Sequence, residues 1–341
     1  MLPAATAVVT GAAGWLGQNL VRALAPHRER VRCLVRGADD ASLLSVVGPS
    51  VETVVGDVRD PAALDALFDG IGPATVFHAA GVIHPEGKIR SLFDVNVGGT
   101  QLTLDRARRA GAVRFAHVSS NSPFGANPSP FDRFTEDSPY NPYMAYGQSK
   151  LEAEQLVMRS YEHGDLQTVI LRPPWFYGPF QPVRQTQFLG AVRRGRFPLV
   201  GDGTQQRSMV FTGNLVHALL LAETADKAPG NAYWIADAQP YELRDIFETI
   251  RAALAAEGLT VTDRRPIRIP ALVGSVAKTA DRFVQDRGRY VQAVHVLGEL
   301  KDTIACDISR ARADLGYEPP TALLDGMRES IRWSLANGDE L

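Results

Sequence analysis

Tyr146 and Lys150 lie four residues apart in the run Tyr-Gly-Gln-Ser-Lys. On a helix this spacing puts both side chains on one face, so that a phenol and an amine can act on the same ligand. A free phenol has a pKa of about 10 and is a poor base at neutral pH, but a nearby ammonium favours its phenolate form. The pair therefore predicts acid–base chemistry, although a lone pair of this kind is more often an exposed tyrosine beside a salt-bridging lysine.

A serine hydroxyl adds a third group to this pair. The segment from Arg114 to Val118 predicts a buried strand, and Ser119, Ser120 and Asn121 follow it directly. In an open parallel sheet, ligands bind beyond the carboxyl ends of the strands, so these polar residues are expected at a cleft. Ser120 could hold a substrate oxygen there by a hydrogen bond while Tyr146 moves its proton.

A glycine-rich turn near the start of the chain predicts what else the cleft holds. Residues 7–9 are apolar like a buried strand, and residues 18–24 have apolar positions at helical spacing. Between them, Gly11 permits a tight turn, Gly14 lets a pyrophosphate approach the main chain, and Gly17 lets helix and strand pack closely. The helix amino terminus then favours an anionic diphosphate. This pattern indicates a bound dinucleotide, whose positively charged nicotinamide would also favour the Tyr146 phenolate.

The end of the second predicted strand, residues 31–35, bears on the choice between NAD and NADP. Arg36 stands 19 positions after Gly17 (36 − 17), where an NAD-preferring site has a ribose-binding acid. A guanidinium there suits a 2′-phosphate and favours NADP. Asp39 or Asp40 could instead reach the ribose, so both cofactors stay open.

Further predicted strands, residues 51–55, 75–78 and 168–171, complete an α/β Rossmann-type doubly wound parallel sheet. We expect a dinucleotide-binding domain over residues 1–174 and a smaller C-terminal substrate lobe over 175–341, with segments at about 210–236 returning to the Rossmann core.

Three polar residues near the ends of these strands allow two interpretations each. Asp57 could accept a hydrogen bond from an adenine amino group or cap the helix that opens near Asp60. His78 is expected to be a core histidine whose ring nitrogens are hydrogen-bonded, rather than a catalyst. His84 lies in a loop over the cleft, as a substrate contact or as a surface residue.

The composition is that of an ordinary soluble protein. The 341 residues include 45% hydrophobic and 22% charged residues, with a net charge of −2, which gives no global attraction to nucleic acid or to anionic membranes. Cys33 and Cys306 are isolated and no metal-binding pattern occurs, which fits a reducing compartment. With no signal peptide or membrane span predicted, we expect a cytoplasmic protein with neither nucleic-acid nor membrane partners and no metal.

The motifs occur in one order over residues 6 to about 180: Thr-Gly-Ala-Ala-Gly-Trp-Leu-Gly, Gly-Asp-Val, His-Ala-Ala-Gly, Asn-Val-Gly-Gly-Thr, Val-Ser-Ser-…-Phe-Gly, Tyr-Gly-Gln-Ser-Lys and Leu-Arg-Pro-Pro-Trp-Phe-Tyr-Gly-Pro. In this combination the chain resembles the extended short-chain dehydrogenases/reductases of the NAD-dependent epimerase/dehydratase type. The resemblance implies a catalytic triad of Ser120, Tyr146 and Lys150, with Lys150 also binding the nicotinamide ribose. The predicted cofactor-binding set is Gly11, Gly14, Trp15, Leu16, Gly17, Arg36, Asp57, Val58, Ala79, Ala80, Gly81, Tyr146, Lys150 and Pro173.

Departures from the family pattern narrow the reaction. Asn121 and Ser122 stand where sugar-nucleotide dehydratases of the family usually carry an Asp-Glu pair, which disfavours a dehydratase. Trp175 replaces an asparagine that is usual in sugar-nucleotide members, whereas Arg207 resembles an arginine that pairs with the substrate diphosphate. The predicted substrate contacts are Ser120, Asn121, His84, Trp175 and Arg207.

Three hypotheses follow. The first is an NAD(P)-dependent nucleotide-sugar epimerase that works through a transient keto intermediate, with Tyr146 as acid and base and Arg207 as diphosphate anchor. The second is an NADP-linked reductase or dehydrogenase of a ketone or alcohol, of hydroxysteroid type or acting on another small molecule, which uses the same triad. A non-catalytic dinucleotide sensor is the third, disfavoured by the full triad. By analogy with the family, helices at about 97–110 and 143–163 would pair in a homodimer.

Overall fold

The computed structural model of the chain describes residues 2–264 and 266–341. Its strands are β1 (Thr6–Thr10), β2 (Arg30–Val35), β3 (Val51–Val55), β4 (Ala74–His78), β5 (Arg114–Val118), β6 (Gln167–Arg172), β7 (Trp175–Tyr177), β8 (Pro198–Val200), β9 (Gln206–Arg207), β10 (Met209–Phe211), β11 (Ala232–Trp234), β12 (Tyr241–Glu242) and β13 (Ile267–Ile269).

The α-helices are α1 (Trp15–Leu24), α2 (Ala38–Ser45), α3 (Pro61–Phe68), α4 (Arg90–Phe93), α5 (Thr100–Arg109), α6 (Met144–Glu162), α7 (Val183–Arg193), α8 (Thr212–Thr224), α9 (Leu243–Ala256), α10 (Ala271–Gln285), α11 (Gln292–Glu299), α12 (Ser309–Leu315) and α13 (Leu323–Ala336). A 3-10 turn (Ala25–His27) follows α1, and a π-helix (Asp94–Gly99) joins α4 to α5.

A parallel sheet in the order β11-β6-β5-β4-β1-β2-β3 forms the centre of the molecule. The order reverses between β1 and β4, and ligands of such sheets bind beyond the carboxyl ends at this switch point. β1, β4 and β5 are almost wholly buried, because helices cover both faces of the sheet. The α/β Rossmann-type fold expected from the sequence is therefore confirmed.

Two apolar clusters lie on opposite faces of this sheet, one with α1 and α8 and the other with α3 and α5. The second cluster also includes Val157, in the carboxyl-terminal half of α6. β11 pairs with β6 at the edge of the sheet, so residues 232–234 belong to the same sheet as the amino-terminal strands.

The remaining elements form a smaller layer above the carboxyl ends of the strands. Short strand pairs, β7 with β10, β8 with β13 and β9 with β12, are packed with α7, α9 and α13 around a third apolar cluster. α10 and α11 pack against each other as a helical hairpin at one side of this layer.

Tertiary contacts set the start of two helices. The helix predicted at about 97–110 is preceded by the π-helix over Asp94–Gly99, in which buried Asn96 donates to the carbonyl of Val82 and to the hydroxyl of Ser149. Helix α9 begins only at Leu243, because Tyr241 and Glu242 pair with β9.

Candidate functional site

The glycine turn between β1 and α1 leaves no room for side chains. Gly11 has a φ of +70°, a backbone conformation that favours glycine. A Cβ at Gly17 would lie 2.1 Å from the carbonyl oxygen of Gly11. A Cβ at Gly11 would lie 2.7 Å from the backbone nitrogen of Ala80, which follows β4. Gly14 is the amino-terminal cap of α1. This bare main chain at a helix amino terminus fits a dinucleotide pyrophosphate.

The other residues predicted to bind the cofactor lie along the same edge of the sheet, with different surroundings. Arg36 is exposed at the end of β2, and its backbone N–H donates to Asp40 at 3.3 Å. Trp15 donates its indole N–H to the carbonyl of Gly178, whereas Leu16 is buried in the core. Val58 is buried against Gly99.

Asp57 does not cap the third helix. Arg59 binds both of its carboxylate oxygens at 2.8 Å and holds the pKa of Asp57 below its ordinary value. The cap is Asp60 itself, whose carboxylate accepts from the N–H of Ala62. Of the two roles considered for Asp57, capping is therefore wrong, and contact with an adenine remains a prediction.

Ser120, Tyr146 and Lys150 meet where β5 ends and α6 begins. Burial raises the pKa of Tyr146 to about 12, and a hydrogen bond with Ser120 opposes that rise. The Ser120 hydroxyl also accepts from the N–H of Ser122, which fixes its position. In this arrangement burial outweighs the lowering of the phenol pKa that the sequence suggested.

Lys150 is 4% exposed and donates from Nζ to the carbonyl of Val118 at 2.7 Å. Burial lowers its pKa to about 8, although the charge of Glu154 raises it in part. His117 Nε2 lies 3.5 Å from the same Nζ, and burial holds the pKa of His117 well below its ordinary value. The amine is therefore fixed at the strand end by neutral groups.

His78 has the structural role expected for it. It is fully buried, with Nδ1 2.8 Å from the hydroxyl of Thr10 and Nε2 2.9 Å from that of Thr100. Burial lowers its pKa to about 3, so the ring is neutral and links β1, β4 and α5.

A cavity of about 390 Å³ lies in front of Tyr146. Its walls are largely apolar, with aromatic, proline and aliphatic side chains from the glycine turn, β7, α7, α9 and α11. The lining residues with such side chains are Trp15, Ile83, Pro173, Pro174, Trp175, Phe176, Phe188, Pro198, Phe247, Val296, Leu300 and Ile304. The volume is within the range of small-molecule sites.

All five predicted substrate contacts, Ser120, Asn121, His84, Trp175 and Arg207, line this cavity. His84 Nδ1 is hydrogen-bonded to the hydroxyl of Tyr290. Burial lowers the pKa of His84 to about 4, so its ring is neutral.

Arg207 is 7% exposed, and its guanidinium donates to the carbonyl of Glu299. Its Nε has no hydrogen-bond partner among the described residues. Burial lowers the pKa of Arg207, and the nearby charge of Glu299 opposes that effect. Arg184 also lines the cavity, so two guanidinium groups lie in a lining whose accessible surface is mostly apolar.

The α10–α11 hairpin supplies a histidine–aspartate pair that the sequence did not reveal. His295 lines the cavity, and its Nδ1 lies 2.8 Å from a carboxylate oxygen of fully buried Asp281. Burial lowers the pKa of His295, but the hydrogen bond to Asp281 and the charges of Glu299 and Asp281 raise it above its ordinary value. With Nδ1 engaged by Asp281, Nε2 is the ring nitrogen left for a ligand.

The same hairpin contacts the start of the catalytic helix. Gln285 donates to Asp281 at 3.0 Å and accepts from the N–H of Ala145 at 3.1 Å. Ala145 directly precedes Tyr146 and follows Met144, whose φ of +53° is unusual for a side chain of this size. The hairpin therefore supports the strained turn that starts α6. No short sequence signal marks these contacts, which join residues 140 positions apart.

Neither a metal centre nor a membrane-crossing helix is found in the described residues. No group of three or more potential ligands among His, Cys, Asp and Glu is placed to hold a metal ion there, and no helix in residues 2–264 and 266–341 is long and apolar enough to span a bilayer.

Among relatives, the protein y4nL of Sinorhizobium fredii is 41% identical over 99% of this chain and 97% of its own length. Sterol demethylase protein B of Methylococcus capsulatus is 36% identical, over 98% of this chain and 99% of its own. The 3 beta-hydroxysteroid dehydrogenase/Delta 5-->4-isomerase of Mycobacterium tuberculosis is 31% identical, over 92% and 85%.

The fold also matches a solved structure. UDP-glucuronic acid 4-epimerase from Bacillus cereus, in complex with NAD, superposes with a TM-score of 0.76 at 20% identity, over 97% of this chain and 99% of that one. The model of the NAD dependent epimerase/dehydratase family matches residues 7–236. The chain therefore belongs to the NAD-dependent epimerase/dehydratase family of enzymes, within the short-chain dehydrogenase/reductase superfamily.

Proposed function

We propose that this enzyme is an NAD(P)-dependent dehydrogenase/reductase that interconverts a secondary alcohol and a ketone on a bulky, apolar substrate. The observation that carries the proposal is the apolar cavity beside Tyr146, walled by Trp175, Phe188, Phe247 and similar side chains. Because most of the accessible lining is carbon, much of the polar surface of a nucleotide sugar would lack hydrogen-bond partners there, except near Arg184, Arg207 and Gln292. Two relatives named for sterols or hydroxysteroids support the same substrate class.

In the proposed reaction Tyr146 takes the proton from the substrate hydroxyl during oxidation and returns it during reduction. Ser120, which is hydrogen-bonded to Tyr146, holds the same substrate oxygen. The bound nicotinamide dinucleotide supplies the hydride acceptor or donor. Lys150, fixed by the carbonyl of Val118, can bind the nicotinamide ribose on the neighbouring face. The raised pKa keeps Tyr146 protonated, which suits it to donate during reduction. For oxidation the phenol must first lose its proton, which the positive charge of an oxidised nicotinamide favours.

The glycine turn and the edge of β2 would hold the cofactor. Gly11, Gly14 and Gly17 leave the main chain open to the pyrophosphate, and Arg36 could pair with a 2′-phosphate. We infer a preference for NADP from Arg36. Asp40, which accepts from the N–H of Arg36, could bind a free ribose hydroxyl instead.

A nucleotide-sugar epimerase is the second candidate, because Arg207 lines the cavity with an unpaired Nε among the described residues. One N–H of this guanidinium donates to the carbonyl of Glu299, which leaves its other donors for a diphosphate. Against this candidate, most of the accessible surface of the cavity is apolar.

Incubation of the purified enzyme with NAD⁺ or NADP⁺ and a panel of substrates distinguishes the candidates. Dehydroepiandrosterone and a long-chain secondary alcohol represent the apolar class, whereas UDP-glucose and UDP-glucuronic acid represent the other. We expect reduced cofactor to accumulate with an apolar alcohol and no epimer to form from either sugar nucleotide. Epimer formation without net cofactor reduction, with no turnover of the alcohols, would overturn the proposal.

We also propose a homodimer in which α5 and α6, which pack together within one chain, pair with the same helices of a second copy. Sedimentation equilibrium tests the assembly. Exposed Met158 and Tyr161 on α6 are the positions where an aspartate should shift a dimer towards a monomer.

A further inference from the structure

The helix α10 exposes an apolar face to solvent, unlike an ordinary surface helix. A surface helix usually turns its apolar face to the core and its polar face to water. In α10 the outward side chains are apolar: Leu272 is 73% exposed, Val276 61% and Phe283 58%. These positions lie on one helical face, because they are spaced by four and seven residues.

The inward face of α10 carries small and polar residues, Gly274, Ala277, Asp281 and Gln285. Asp281 and Gln285 are buried and bonded to each other and to His295 and the start of α6. Lys278, on the same side, donates to Asp302 at 2.8 Å. These contacts fix the helix with its apolar face outwards, so it cannot bury that face by rotating about its axis.

More apolar surface adjoins this face. Ile267, on β13 before the helix, is 57% exposed, and Val291 and Val296 on the α11 side are 44% and 39% exposed. Val296 also lines the substrate cavity. The outer apolar surface is defined here as Leu272, Val276 and Phe283 on α10 with Ile267, Val291 and Val296 on the neighbouring elements. It belongs to the same hairpin region that forms one wall of the cavity.

Positive charges border this surface. Arg268, Arg282, Arg287 and Arg289 are exposed, and none of them forms an ion pair within the described residues. Arg287 lies over the ring of Phe283, with its guanidinium carbon 3.3 Å from the ring centre. The exposed carboxylate nearest in the sequence to Arg282 and Arg287 is that of Asp286.

The net charge of −2 predicts no membrane partner, but the charges around this surface are locally positive. We propose that the outer apolar surface docks on an anionic lipid bilayer, with α10 lying in the plane of the headgroups. Helices that bind membranes in this way insert an apolar face to the depth of the headgroups while arginine and lysine meet anionic lipid. A second copy of the chain fits less well, because a two-fold contact between identical patches would bring these arginines towards one another. The docked orientation places the cavity next to the bilayer, where apolar substrates dissolve. Only this last point rests on the proposed function.

Flotation of the purified full-length protein with vesicles tests the docking without any substrate. The vesicles contain phosphatidylcholine alone or phosphatidylcholine and phosphatidylglycerol in equal parts, at low and high salt. We expect binding to the vesicles with phosphatidylglycerol that weakens at high salt. The double variant Val276→Asp/Phe283→Asp should lose this binding by about tenfold or more, since charged groups on the inserted face oppose insertion.

A matched control and a second variant separate apolar from electrostatic contributions. Val46→Asp changes a valine that is 81% exposed at the end of α2, and it should bind vesicles as the unchanged protein does. Arg282→Gln/Arg287→Gln should lose the preference for phosphatidylglycerol. Melting temperatures of these variants should stay close to that of the unchanged protein, because every altered side chain is exposed.

Three results would overturn the docking. They are no binding of the unchanged protein to vesicles with phosphatidylglycerol, an equal loss in Val46→Asp, and a change from dimer to monomer in Val276→Asp/Phe283→Asp with vesicle binding unaffected. The last result would assign the surface to a second copy of the chain. Turnover of dissolved dehydroepiandrosterone should be the same in the double variant and the unchanged protein, so loss of docking and failure of the proposed reaction give different results.

Discussion

The two sides of the cavity are built in different ways. On the cofactor side, the surface of the cavity is formed by main chain at the glycine turn and at the ends of β1, β4 and β5. At Gly17 there is no space for a side chain. On the opposite side, the α10–α11 hairpin contributes side chains held by buried polar contacts, such as Asp281 with His295. The first side is suited to a ligand common to a whole family, whereas the second can change with the substrate without disturbing the sheet.

The largest effect is expected at Tyr146, where the two sides meet. Tyr146→Phe removes the proton-transfer group and should lower turnover by roughly 10²–10⁴ while cofactor affinity survives. Steady-state kinetics with the alcohol found in the substrate panel, and cofactor titration by fluorescence, measure the two quantities. Near-normal turnover would exclude Tyr146 as the base.

On the cofactor side, Gly17→Ala should lower cofactor affinity by about a hundredfold, because the added methyl would lie 2.1 Å from the Gly11 carbonyl oxygen and must displace the turn. Gly48→Ala is the matched control, since a Cβ there would have only ordinary contact, 3.9 Å from the Cβ of Ala25, and the residue is not in the proposed cofactor site. Calorimetric titration of both variants with NAD⁺ and NADP⁺ measures the difference. Equal affinities in the two variants would contradict the proposed role of the turn.

On the hairpin side, Asp281→Asn leaves buried His295 without its anionic partner and should destabilise the fold by about 3 kcal/mol at acid pH. The pKa of His295 is raised in the fold, so the pair stabilises fully below the unfolded value of 6.5 and this contribution is lost as pH rises through the folded pKa. The difference in unfolding free energy between the two proteins should therefore shrink towards alkaline pH. Denaturant titrations across that range would refute the assignment if the difference stayed constant.

Lys150→Met should separate stability from activity. The pKa of Lys150 is lowered by burial from 10.5 to about 8, so the unfolded chain binds more protons between these values and the free energy of unfolding rises with pH across that window. Removing the buried amine should stabilise the protein by roughly 1–3 kcal/mol at neutral pH and lower turnover by less than Tyr146→Phe does. Chemical denaturation with an activity assay tests both, and a variant less stable at every pH would contradict the expected cost of burying the amine.

The smallest effect is expected at Arg36. Arg36→Ala should reduce the preference for NADP over NAD by about tenfold, because an exposed guanidinium pairs with a 2′-phosphate in competition with water and salt. Ratios of kcat/KM for the two cofactors report it directly. An unchanged ratio would show that other residues at the carboxyl edge of the sheet discriminate between NADP and NAD.

The sequence predicted the doubly wound sheet because the signals for each strand and for the glycine turn are local. Each polar or glycine-rich motif lies within a few residues of the strand that it follows, and the roles of these motifs in binding a cofactor remain predictions. The hairpin could not be predicted, since the apolar residues of α10 would normally indicate an inward face, whereas the polar face with Asp281 and Gln285 is the buried one. That orientation depends on contacts to Ala145 and His295, which local patterns do not encode.

The most direct test of the central claim measures which ligand the cavity takes, with chemistry prevented. The Tyr146→Phe enzyme, saturated with cofactor, is titrated by calorimetry with dehydroepiandrosterone and with UDP. The account predicts that the steroid binds and that UDP does not. Tight binding of UDP that is lost in a Tyr146→Phe/Arg207→Ala variant, with no heat from the steroid, would contradict it.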